Sequence, residues 1–125
     1  MSLKHESIFG NFVAIILAHS FYLCQMLLYN VTFIIEDSAE AAWLQWMQEE
    51  HIPKVMDTGL FVSNRLLKVL DSPNEGVTYC SQYVAQALED YDAYQLNHAP
   101  LLQEELNILF KDKFVAFRTV MEYID

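Results

Sequence analysis

Two histidines stand at the same kind of place in this chain, His51 in Glu49-Glu50-His51-Ile52-Pro53 and His98 in Leu96-Asn97-His98-Ala99-Pro100. Imidazole ordinarily titrates near neutrality, so either side chain can serve as a general acid or base if it opens onto a cavity. Glu49 or Glu50 can orient His51 or raise its pKa. A histidine where a helix ends also has a structural use, bonding free carbonyls at the negative end of the dipole. Both readings stand for both residues. Arg118 lies mid-strand among apolar neighbours and can hold a carboxylate or enolate, or pair with a glutamate. Asn30, Thr32 and Gln82 are expected beside it on a mixed sheet face, as hydrogen-bonding neighbours of a ligand. Tyr91, Tyr94 and His98 share one helical face, where Tyr94 can line an aromatic-binding pocket or pack in the core.

Other chemistry finds less support. The histidines are spread over distant segments, so no metal site is expected. Gly10, Gly59 and Gly76 are isolated, so there is no glycine-rich phosphate loop, and no nucleophile–base pair is visible. No cofactor is implied. The net charge is −10 and the basic residues are scattered, which argues against nucleic acid and anionic lipid as partners. Cys24 and Cys80 read as two thiols in a reducing compartment, which points to the cytoplasm.

Positioning these groups requires a fold, and the pattern of the chain supplies one. Tyr29, Val31, Phe33 and Ile35 alternate with Asn30, Thr32 and Ile34, the period of a strand. Asp37 and Glu40 have capping-box spacing for a following helix that carries Trp43, Trp46 and Met47 on one face. Ile52 precedes a proline and is biased away from helix, so that helix is expected to break at His51. Strands are expected over 60–70 and 77–87, joined by the turn-rich Asp71-Ser72-Pro73-Asn74-Glu75-Gly76. A second helix carries Tyr91 and Tyr94, breaks at His98-Ala99-Pro100 and restarts with Leu101 and Leu102. Phe114 to Tyr123 is the last strand.

The order βαββαβ predicts an α+β, ferredoxin-like split βαβ sandwich: a four-stranded antiparallel sheet with two broken helices on one face. The other face is too apolar for open water and too polar for a dry core. A second copy packed sheet to sheet would cover it and leave a polar-lined pocket for a small ligand. Residues 26–125 form this single domain. Residues 1–25 form an apolar extension, and Met26-Leu27-Leu28-Tyr29 reads as a natural chain start. The extension is a start-site extension, a leader, or an extra apolar helix. A true targeting segment over 8–24 would instead make the protein exported or membrane-associated.

Residues 26–125 resemble a small bacterial family known as domain of unknown function 4286. The resemblance rests on Tyr29-Asn30-Val31-Thr32, on Trp43 through Pro53, on His98-Ala99-Pro100 and on Asp112 through Thr119. That family is similar to the dimeric α+β barrel group, which implies two ferredoxin-like subunits packed sheet to sheet. Some enzymes of that wider group are cofactor-independent monooxygenases or isomerases, and some carry a tyrosine four residues before a His-x-Pro. Tyr94 and His98 match that spacing, whereas Met47 stands at the corresponding place before His51. Two functions are therefore expected of this chain. One is a dimeric binding module with a small-molecule pocket on the sheet face near Arg118. The other is a cofactor-independent enzyme using His51 or His98 as acid/base.

Overall fold

The computed structural model describes residues 25–125, so expectations for residues 1–24 lie outside the described residues. Strand β1 (Leu27–Ile35) is followed by a 3-10 turn, Asp37–Ala39, and by helix α1 (Glu40–Trp46). A π-helical turn, Met47–His51, joins α1 to helix α2 (Ile52–Asp57). Strands β2 (Ser63–Lys68) and β3 (Val77–Ala85) form a hairpin. Helices α3 (Leu88–Asn97) and α4 (Ala99–Leu109) lead to strand β4 (Phe114–Glu122). The sheet order is β2-β3-β1-β4 and all pairings are antiparallel. This is the ferredoxin-like split βαβ arrangement. No helix among the described residues is long and apolar enough to cross a membrane.

The alternation of β1 divides the molecule. Leu27, Tyr29, Val31, Phe33 and Ile35 are buried beneath the helices. Tyr79 and Tyr83 of β3 share that face through their pairing with Phe33 and Tyr29. Trp43 is fully buried and its ring lies 5.0 Å from that of Phe33, clamping α1 to the sheet. Phe61, in the segment before β2, also turns inward, with its ring 4.9 Å from Tyr94. The second strand is shorter than expected: Phe61 turns into the core, while exposed Val62 still gives its N–H to the Val84 carbonyl at 2.8 Å. Gly76 closes the hairpin at φ 87°, where a Cβ would lie 2.6 Å from the Ile35 carbonyl oxygen, so only glycine fits.

Two local expectations are overturned. Asp37 does not cap α1; it lies within the 3-10 turn, and no side-chain cap bond is made there. Glu40 instead accepts a 2.7 Å hydrogen bond from the Tyr79 hydroxyl and pairs with Lys68 at 3.3 Å, tying α1 to the hairpin. The first helix does not break at His51 either. Ile52 keeps helical angles and its N–H reaches back five residues to the Met47 carbonyl. In a regular turn Pro53 would give no N–H to the carbonyl of Glu49, and its ring would clash there. Widening the turn by one residue absorbs that conflict and keeps the chain helical.

Register also corrects the placement of Arg118. It pairs with Val31 and so lies on the helix side of the sheet. Asn30, Thr32 and Gln82 lie on the opposite face. The arginine was expected among them because β4 is apolar on both sides, and alternation alone does not say which side meets the helices.

Candidate functional site

The helix side of the sheet encloses a cavity of about 20 Å³, the room one water needs. Its polar lining is His51, Tyr83, Tyr94, Gln103 and Arg118, with Tyr29 beside them, and Val31, Phe33 and Leu106 complete the wall. Each wall comes from a different element. The π turn presents His51, α3 presents Tyr94, α4 presents Gln103, β3 presents Tyr83 and β4 presents Arg118.

His51 is 7% exposed and lies against Trp46, ring centroids 5.0 Å apart. Its Nδ1 is buried with no hydrogen-bond partner among the described residues. Burial pushes its pKa down to about 4; Lys54 and Arg118 add to the fall and Glu105 opposes it. The imidazole is therefore neutral at pH 7 and able to accept a proton. Tyr83 also has a buried hydroxyl with no hydrogen-bond partner among the described residues, and burial pushes its pKa up to about 12. Tyr94 is likewise raised by burial, with Arg118 acting in the opposite sense. Both phenols stay protonated and can donate hydrogen bonds. His51 Nδ1 and the Tyr83 hydroxyl thus belong to residues that line a water-sized void and lack hydrogen-bond partners among the described residues.

A wider groove of about 600 Å³ runs between α4 and the outer edge of β4. Gln103 and Arg118 line both the groove and the cavity, so they stand between the two. Arg118 forms no ion pair among the described residues.

The remaining expected site residues lie elsewhere. His98 stacks on Tyr94 with ring centroids 6.3 Å apart, and it does not line the cavity. Asn30 donates to Thr32 at 2.9 Å and accepts from Gln82 at 3.3 Å on the open face. Thr32 is also 3.6 Å from the Cys80 sulfur. That polar cluster and Arg118 are separated by the sheet. Among the described residues no cluster of histidine, cysteine and carboxylates could hold a metal ion.

Sequence reasoning passed over Tyr83 and Gln103. Tyr79 and Tyr83 share one strand face, and register with β1 would have placed Tyr83 beside Tyr29. Gln103 carries no signal until α4 is laid across the sheet.

No curated protein matches the chain. Several solved structures do. SnoaB, a cofactor-independent oxygenase from Streptomyces nogalater, superposes with a TM-score of 0.61 at 12% identity, over 81% of this chain and 95% of its own. A dimeric ferredoxin-like protein from an uncultured marine organism gives 0.57 at 8% identity, over 81% and 96%. An ethyl tert-butyl ether d (ethd) family protein from Bacillus halodurans gives 0.57 at 7% identity, over 74% and 96%. At such identities the likeness establishes the fold, which is the ferredoxin-like α+β sandwich. Residues 26–124 match the family described as Domain of unknown function (DUF4286), and the chain belongs to that family.

Proposed function

We propose that this protein is a cofactor-independent enzyme that removes a proton from carbon in a small organic substrate, with His51 as base and Arg118 holding the developing enolate. The observation that carries this reading is the shared cavity: a neutral buried imidazole and a guanidinium with no ion pair among the described residues line one space. Proton transfer turns neutral imidazole and neutral carbon acid into an imidazolium–enolate pair. Arg118 offsets the enolate charge, and the Tyr83 and Tyr94 hydroxyls can donate to its oxygen. Return of the proton to a second carbon completes an isomerisation without any further reagent. The cavity admits only the reacting end of a substrate, so its body must lie in the groove outside Gln103 and Arg118. The oxygenase activity named for SnoaB is compatible with the same first step, with dioxygen as co-reactant.

The functional unit in this reading is a homodimer formed through the open sheet face. In support, that face exposes Leu67, Val115, Phe117 and Met121, an apolar area that water does not favour. Light scattering is expected to give a dimer, and Phe117→Glu is expected to give a monomer; a monomeric parent protein would overturn the dimer.

The catalytic reading is tested by deuterium wash-in. A panel of aryl ketones and keto acids is incubated with the protein in heavy water and followed by proton NMR. Exchange at the carbon next to the ketone is expected, and His51→Gln is expected to slow it by roughly 10²–10⁴-fold. Ligand binding without exchange would instead mark the protein as a binding module.

A further inference from the structure

Unpaired positive charge collects in the groove between α4 and β4. Six basic residues lie in the described part of the chain: Lys54, Arg65, Lys68, Lys111, Lys113 and Arg118. Lys54, Lys68 and Lys113 hold carboxylates within 4.0 Å. Of the three that do not, Lys111 and Arg118 both line this groove, in a protein of net charge −10. Gln103 and Asn107, four residues apart on α4, line the same wall, and Lys111 follows in the turn after the helix. Four donor side chains thus face a single acid, Asp112. Phe114 and Ala116 give the groove an apolar part.

We propose that this groove selects an organic anion, a keto-carboxylate whose carboxylate lies against Lys111 and Asn107 and whose acidic C–H end reaches the Arg118–Gln103 mouth of the His51 cavity. The inward direction of the ketone rests on the role assigned above to His51; the selection for an anion does not. Donor chemistry favours the class, because amide and ammonium donors pair with carboxylate oxygens and leave a neutral ester undersatisfied. Electrostatics favours it too. A buried imidazole beside an unpaired arginine resists taking a proton, and a bound anion removes part of that resistance.

The probe is 3-benzoylpropionate, an aryl ketone with a terminal carboxylate, and its methyl ester is the neutral control. Both are titrated into the full chain and followed by amide chemical shifts. The carboxylate is expected to bind at least about tenfold more tightly than the ester, with shifts centred on Asn107, Lys111 and Ala116. Lys111→Met, a change at an exposed position, is expected to bring the ratio near one, and His51→Gln to leave it intact. Equal affinity of the two compounds, no saturable binding of either, or a ratio that survives Lys111→Met would each overturn the proposal. If the ratio holds but deuterium never washes in, the catalytic role of His51 fails and the anion site stands. If neutral ketones exchange as fast as keto acids, the reverse is true.

Discussion

The two His-x-Pro segments occupy equivalent places in the two halves of the fold, yet they end differently. Around His98 the helix truly breaks: that residue leaves helical geometry at φ −126°, and Ala99 starts α4 with proline in its first turn. Around His51 the helix runs on through a π turn. The consequence is burial. His51 is 7% exposed on the cavity wall, whereas His98 is half-buried, stacks on Tyr94 and contributes nothing to that wall. The same His-x-Pro pattern therefore places one histidine on the cavity wall and keeps the other off it. What separates them is one extra residue in a helical turn, a device known to cluster at functional sites.

The comparison breaks most sharply under substitution of the base. His51→Gln is expected to slow deuterium wash-in by roughly 10²–10⁴-fold, the usual contribution of a general base. His98→Gln is expected to stay within about twofold, because it removes a stacking partner and no cavity group. Equal losses in the two variants, measured on one substrate, would erase the distinction.

Acid stability tests the burial of His51 next. In the unfolded chain His51 titrates near 6.5, and in the folded protein near 4, so the unfolded state binds the proton first as pH falls. Stability associated with this group is complete above 6.5 and is lost as pH drops through 4. The loss is at most about 3 kcal/mol. Urea melts from pH 7 to 4 are expected to show a shallower decline for His51→Gln than for the parent protein.

Packing around the first helix is expected to carry more stability than its charges. Trp43→Ala removes a fully buried indole and is expected to cost about 3–5 kcal/mol in denaturant melts. Lys54→Ala breaks an exposed pair with Glu105 at 3.0 Å, across α2 and α4, and is expected to cost less than about 1 kcal/mol. A larger loss for Lys54→Ala than for Trp43→Ala would show that charge, not packing, seats the π-turn segment.

Much of the fold was legible in the chain. The strict alternation of Tyr29 to Ile35 fixed the central strand and its buried face. The turn residues from Asp71 to Gly76 announced the hairpin, and Gly76 proved indispensable to it. The site was legible only in part. His51, Tyr94 and Arg118 were singled out, but Arg118 was grouped with Asn30, Thr32 and Gln82, from which the sheet separates it. Both faces of β4 carry apolar residues, so alternation could not orient the strand. The π turn left no sign at all, since no residue type announces it and Ile52 before Pro53 argues for a break. Tyr83 and Gln103 join the cavity only through tertiary packing.

The central claim is that His51, and not His98, is a neutral base held beside Arg118. Histidine ring signals of the full chain, assigned with His51→Gln and His98→Gln, can be followed through a pH titration with and without 3-benzoylpropionate. His51 is expected to titrate near 4 in the free protein and to move upward when the anion binds. Titration of His51 near 6.5, unmoved by the anion, would contradict that claim.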